Sequence, residues 1–172
     1  KPLRHLVLPR RIPNEQRTIP DVQDYVARAT GHAYHDSIEK AWTHGYVRAL
    51  RLLGYPDHVI ARVWINPTED DLNSHADIIP IYVEQRAKRP LGKWLIGGKF
   101  DMVAEGIVQD YKSTSAFVWV KGSRDDEHAL QGSIYRWLNP DKITEDFIRV
   151  NYIFTDWQKA QARSNPNYPQ FR

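Results

Sequence analysis

Apolar positions recur at helical spacing through the first third of the chain and at strand spacing through its middle. Ala33, Ile38, the adjacent pair Ala41 and Trp42, then Val47, Leu50 and Leu53 recur at helical spacing until Gly54-Tyr55-Pro56 stops the run. This predicts a mainly helical region from Pro20-Asp21 onward, which Gly45 divides in two, followed by a shorter helix over residues 57–63. Residues 66–76 are polar and are expected to be a loop. The texture then changes. Residues 78–84 read as a strand, with Pro80 marking an edge or the strand's first residues. Pro90-Leu91-Gly92 signals a turn, and residues 94–104 and 106–112 read as two strands joined by a tight Glu105-Gly106 hairpin.

Residues 125–138 are expected to be helical, with Asp125 as N-cap and Asn139-Pro140 as the stop. A strand over 147–154 and a final helix, capped by Asp156 and running to residue 162, complete the order. Helices, a strand meander, a helix, a strand and a helix describe an α/β domain in which a mixed sheet is covered by helices. A length of 172 residues suits one such domain, with residues 1–20 an irregular arm or a strand and 163–172 a tail.

Composition narrows the class. Hydrophobic residues at 41%, with six tryptophans, are too many for a disordered chain. The absence of cysteine excludes disulfides, thiolate zinc sites and cysteine-ligated iron–sulfur clusters. No apolar run approaches a membrane span and no signal peptide is visible, so a cytoplasmic location without membrane contact is the default. The chain opens at Lys1 rather than methionine, as a fragment or a processed chain does.

The net charge of +3 says little, but its distribution says more. Arg4, Arg10, Arg11 and Arg17 make the first stretch cationic, and Arg86, Lys88, Arg89, Lys93 and Lys99 crowd a second segment. Each cluster reads either as a phosphate-binding surface or as an ordinary solvated face.

The chemistry concentrates in Gly98-Lys99-Phe100-Asp101 and Val108-Gln109-Asp110-Tyr111-Lys112. Residues two apart in a strand share a face, so Asp110 and Lys112 project together while Tyr111 points away. Asp101 lies on the preceding strand, from which its carboxylate can approach that of Asp110. Two carboxylates at one place offer hard oxygen ligands suited to magnesium or manganese. A lysine beside them can orient a water or stabilise charge on phosphorus. An Asp-x-Lys pair on a strand is equally an exposed ion pair. Here, however, Ile107 and Val108 deliver it from an apolar strand, where charge is costly unless it serves a site.

The stretch "GGKFDMVAEGIVQDYKST" resembles the central motif of the PD-(D/E)XK nucleases, in their RecB-like exonuclease branch: an Asp, then on the next strand Asp or Glu, one residue, and Lys. The usual Thr after that Lys is replaced by Ser113, with Thr114 following. Upstream, "GHAYHDSIE" is similar to the branch's Gly, His and Glu at four-residue intervals, which fall on Gly31, His35 and Glu39. Downstream, "QGSIYRWL" is similar to its Gln and Tyr four apart, which fall on Gln131 and Tyr135.

The resemblance implies a restriction-endonuclease-like core and metal-dependent hydrolysis of DNA phosphodiesters, with attack from ends preferred, in recombination, repair or phage DNA processing. It implies Mg2+ or Mn2+ held by His35, Asp101, Asp110 and the backbone carbonyl of Tyr111, with Lys112 catalytic and Gln131 holding the attacking water or a phosphate oxygen. Tyr135 would bond backbone or DNA, Glu39 would act from behind the ligands, and Glu84, ending the first strand, is a further candidate.

Arg10, Arg11, Lys99, Lys121 and Arg124 are the expected DNA contacts, with Trp119 near the substrate. Having neither cysteine cluster nor helicase, the chain looks closest to small stand-alone nucleases of phages and mobile elements. Any helicase or single-strand annealing partner is then a separate protein. Three other readings stay open: a sequence- or structure-specific endonuclease of the same fold, a DNA-binding module that does not cut, and an unrelated metal-free binding domain in which the motifs are coincidental.

Overall fold

A computed structural model describes residues 21–122 and 124–170 of the chain. The expected basic arm, with Arg10 and Arg11, lies outside the described residues. The chain divides into two compact units, Lys1–Ala33 and Tyr34–Arg172. The described part of the first is the opening of helix α1 (Val22–His44). In the second, α1 continues to Gly45 and the chain restarts as α2 (Tyr46–Leu52), the break expected at that glycine.

Next come α3 (Asp57–Ile60), β1 (Val63–Ile65), α4 (Glu69–Ser74), β2 (Ile79–Val83), β3 (Arg86–Leu91) and β4 (Trp94–Lys99). The remainder is β5 (Met102–Ala104), β6 (Ile107–Thr114), α5 (Ala116–Lys121), α6 (Asp125–Leu138), β7 (Ile148–Phe154) and α7 (Lys159–Ser164).

Five strands form a mixed sheet in the order β1-β2-β5-β6-β7, flanked by helices, which is the α/β architecture expected. Strand β1 runs parallel to β2, β2-β5-β6 is antiparallel, and β7 runs parallel to β6. Strands β3 and β4 form a separate two-stranded hairpin.

The two-residue side-chain period sends neighbours in each strand to opposite faces. Ile81, Val83 and Met102 pack with Leu50, Ile60 and Val63 on one side, and Trp42, Tyr46 and Tyr111 close over them. Tyr82, Val103 and Val108 pack with Phe100, Tyr135 and Ile143 on the other. Burying each large aliphatic side chain contributes roughly 1.5–3 kcal/mol, so both cores hold the sheet. A smaller third cluster joins Ala116, Ala162 and Tyr168. Residues 164–170 of the expected tail are therefore packed rather than loose: Tyr168 is buried, and the Trp157 indole donates to the Pro169 carbonyl.

Several local expectations are corrected. Helix α3 stops at Ile60, and Val63–Ile65 is a strand, because parallel pairing with Ile79–Ile81 supplies what three residues cannot supply alone. The expected loop at 66–76 contains α4, started by a capping box in which Thr68 Oγ accepts from the Asp71 N–H and Asp71 accepts from the Thr68 N–H. Strand 94–104 is broken at Phe100-Asp101, so that β4 and β5 lie in different sheets.

Pro80 is the second residue of β2, among the strand's first residues as expected, although that strand is interior rather than an edge. The Ile79 N–H donates toward β1, so position 80 faces the opposite edge, where β5 has ended with Ala104 opposite Ile81 and no donor is required. Arg124, not Asp125, occupies the N-cap of α6, without a side-chain bond. Asp156 does not cap α7; it accepts from Ser115 Oγ at 2.7 Å and from the Ala116 N–H at 2.8 Å, holding the start of α5, a helix the pattern does not reveal.

The Glu105-Gly106 hairpin is as expected, with φ of 54° and 74° at its two central residues. Among the described residues no helix is long and apolar enough to cross a membrane.

Candidate functional site

Strand β6 is apolar where it enters the core and charged where it leaves. Val108, Asp110 and Lys112 share the face that α6 covers. Asp110 is 1% exposed, which makes it the most deeply buried charged residue described. Its Oδ1 accepts from Gln131 Nε2 at 3.4 Å, and Lys112 Nζ lies 2.6 Å from Oδ2. The lysine approaches Oδ2 off the hydrogen-bonding direction, so that oxygen has charge compensation without an aligned donor. A buried oxygen in that state suits an electropositive partner.

Asp101 occupies the bend between β4 and β5. Its Oδ2 accepts from the Tyr111 N–H at 2.8 Å, which ties the bend to the outgoing part of β6. The N–H and C=O of a strand residue leave on the same edge, so the Tyr111 carbonyl faces the Asp101 side too. Burial pushes the Asp101 carboxyl above the usual carboxylate range. The Tyr111 N–H pulls it back, the charge of Asp110 raises it again, and His35 and Lys112 oppose.

Glu84, just past β2, has φ of 55°, and its N–H donates to the Asp101 carbonyl at 2.8 Å. That left-handed turn lets the chain leave the sheet for the β3–β4 hairpin while the carboxylate stays beside Asp101. His35 on α1 completes the group, with Nδ1 3.5 Å from Asp101 Oδ2 and 4.0 Å from Glu84 Oε1. One donor atom from each of His35, Glu84 and Asp101 lies within 4.8 Å of the others. Asp110 stands outside this trio, so of the expected ligands the trio keeps His35 and Asp101, lacks Asp110, and includes the further candidate Glu84. Lys99 forms an ion pair with Glu84, which raises the lysine's pKa, and the charges of Glu39 and Asp101 add to the effect. Glu39 thus borders the group rather than joining it.

Gln131 and Tyr135 lie one turn apart on α6. Gln131 Nε2 donates to Tyr135 Oη at 2.7 Å and to Asp110 Oδ1 at 3.4 Å. The amide nitrogen expected to hold water or phosphate is therefore directed at protein acceptors. Burial raises the Tyr135 hydroxyl, and the charges of Asp110, Asp101 and Glu84 raise it further.

Structure thus gathers His35, Glu84, Asp101 and Lys99 on one side and Asp110, Lys112, Gln131 and Tyr135 on the other, bridged by the Tyr111 backbone. Lys121 and Arg124 are not brought into it. Lys121 lies over the Phe117 ring at 4.9 Å, and Arg124 begins α6. Trp119 is 45% exposed on α5.

Tyr152 was missed. It pairs with Lys112 in the β6–β7 register, and burial raises its hydroxyl, with Asp125 and Asp110 adding and Arg124 opposing. Its ring lies 6.1 Å from that of His128, whose buried Nε2 has no hydrogen-bond partner. Alternation in β7 marks Val150, Tyr152 and Phe154 as one face, but only the parallel register puts that face beside Lys112.

No protein-family model matches the chain, and no curated protein or solved structure matches it closely enough to show kinship.

Proposed function

We propose that this chain is a metal-dependent deoxyribonuclease on a restriction-endonuclease-like core, of the RecB-like exonuclease branch of the PD-(D/E)XK nucleases. One observation carries the reading: Asp110 and Lys112 leave a buried strand beside an Asp101 that is itself grouped with Glu84 and His35. A solvated ion pair needs no such burial, and these charges without a ligand are costly. The donor set fits Mg2+ or Mn2+, being hard carboxylate oxygens with one imidazole, beside the unaligned Oδ2 of Asp110. His35, Glu84 and Asp101 would hold the ion, with Asp110 and the Tyr111 carbonyl facing it.

Such an ion would supply polarisation of a phosphate oxygen and a more acidic water. Lys112 positions the attacking water and offsets negative charge on the phosphate, while Gln131 and Tyr135 keep the Asp110 carboxylate from rotating. Water oxygen bonds to phosphorus, the bond to the departing sugar oxygen breaks, and that oxygen leaves protonated. End-directed cutting, and work alongside a separate helicase or annealing protein, follow from the family resemblance.

The test is end-labelled linear DNA against closed circular DNA, in Mg2+, in Mn2+ and in chelator. Metal-dependent loss of the linear form alone is expected, with Lys112→Ala slower by about 10²–10³. Cutting of the circle would select the endonuclease reading. Equal rates for wild type and Lys112→Ala would refute catalysis at this site.

A further inference from the structure

We infer that the β3–β4 hairpin is a guide arm for single-stranded DNA, its outer face taking the phosphates and its tip stacking on bases. The inference rests on the nuclease reading of the neighbouring site. Residues 86–99 contain five cations and no acid. The register pairs Arg86 with Lys99, Lys88 with Gly97 and Pro90 with Leu95, so Arg86, Lys88 and Lys99 project from one face.

That face is the outer one. Arg86, Lys88, Gly97 and Lys99 are exposed, whereas Ala87, Ile96 and Gly98 between them are part-buried. On the inner face a Cβ at Gly98 would lie 3.0 Å from both Tyr135 and Leu138, which shows how closely the hairpin's root packs on α6. The outer cations therefore run outward from the root, Arg86 and Lys99 opposite one another and Lys88 one same-face step, about 7 Å, further along, and at the root Lys99 touches Glu84. Among the described residues, Arg86 and Lys88 have no carboxylate within ion-pair distance. Of the other two cations, Arg89 belongs to the inner face, where it donates to the Trp137 carbonyl at 2.8 Å and lies over the Trp137 ring, and Lys93 sits at the tip.

The tip differs in character. Leu91, Trp94 and Leu95 are 58%, 65% and 64% exposed, and Lys93 lies 5.5 Å from the Trp94 ring. Exposed apolar groups beside a cationic line match a strand of nucleic acid, whose backbone is charged and whose bases are flat and apolar. A continuous duplex would meet the line with phosphates but would present no open base face to Trp94.

The experiment measures binding of a fluorescent single-stranded oligonucleotide by anisotropy in chelator, across a salt series. Arg86→Ala combined with Lys88→Ala removes two phosphate contacts. It should lower the slope of log affinity against log salt by about 1.4 and weaken binding about tenfold at 0.1 M salt. Trp94→Ala should weaken binding about tenfold with the slope intact, because it removes stacking but no charge. Lys159→Ala with Arg163→Ala, an equal charge loss on α7, serves as the control and should keep the wild-type slope.

A wild-type slope in the hairpin pair, or an equal fall in the control, overturns the inference. Circular dichroism melts identify an unfolded variant, and replacing both residues by glutamine repeats the test if alanine fails to fold. Wild type that cleaves DNA while the hairpin pair binds as tightly as wild type sinks the arm alone. Wild type that never cleaves but shows the slope change sinks the nuclease reading alone, and wild type that binds no oligonucleotide sinks the arm, the cleavage assay still deciding the nuclease reading.

Discussion

Asp101→Asn separates what the fold requires of this side chain from what a bound ion requires. The carboxylate is mostly buried, its Oδ2 accepts from the Tyr111 N–H at 2.8 Å, and Asp110 repels it. An asparagine can turn its carbonyl oxygen to Tyr111 and keep that bond, losing only the extra strength of a charged acceptor, about 1 kcal/mol. Against that loss stands relief from burying a charge beside a second carboxylate. Without metal the two effects offset, and the variant is expected within about 1 kcal/mol of wild type.

With metal they part. An ion present at a hundred times its dissociation constant stabilises the wild type by about 2.7 kcal/mol. For a chain of this size that raises Tm by about 5–10 °C. The amide cannot replace the carboxylate charge, so most of that rise disappears. The assay is thermal unfolding of both proteins with chelator and with a Mg2+ or Mn2+ series. Two results would refute the reasoning: a loss above 3 kcal/mol without metal, or an equal metal-induced rise in both proteins.

Gly132→Ala should cost about 1–2 kcal/mol in urea unfolding, since its Cβ would lie 2.9 Å from Ile148 Cβ and the overpacking exceeds the helix-propensity gain. No loss of stability would mean that α6 can shift off β7 freely. Tyr135→Phe removes the acceptor at 2.7 Å from Gln131 Nε2, costing about 1 kcal/mol. Cleavage should fall about tenfold with it, and an unaltered rate would separate Tyr135 from Asp110 positioning.

Asp156 is held below the usual carboxylate range by the Ala116 N–H and then the Ser115 hydroxyl. Its contribution is therefore present above the unfolded pKa and is lost as pH falls through the lower folded one. Asp156→Asn should be less stable at pH 7 by at most about 1 kcal/mol, because the group is exposed and screened. The two proteins should converge in acid, and a constant gap down to pH 2 in denaturant titrations would contradict this. Calorimetric titration of Mn2+ into His35→Ala should show weakened binding; an unchanged affinity would remove His35 from the ligand group.

What the sequence made legible was what depends on neighbouring residues. Helix α6 begins and ends where its pattern and the Asn139-Pro140 stop require, and Glu105-Gly106 forms the tight hairpin that two adjacent left-handed residues allow. Asp110 and Lys112 share a face because a strand's period is two. Strand β1 was invisible because three residues are held by pairing with residues sixteen positions away. Helix α5 carried local signals, Ser115 accepting from the Phe117 N–H and a left-handed Gly122 at its end, but the acceptor that holds its first turn, Asp156, comes forty residues on. Thr68-x-x-Asp71 did carry a readable capping signal for α4, hidden by the general polarity of 66–76. Glu84 could be suspected from its place at a strand end, but its nearness to His35 requires the chain to turn at that residue.

That turn gives position 84 an unusually short list of acceptable residues. With φ of 55° the backbone favours glycine, and after it asparagine and aspartate, while every β-branched residue is strained there. The proposed metal site needs a carboxylate there, one that reaches His35 and the neighbouring lysine. Glycine eases the backbone and empties the site; glutamine fills the space and loses the charge. Aspartate meets both demands but is one methylene short. If the proposed activity holds, a library randomised at codon 84 should return almost only the two acidic residues among its active members.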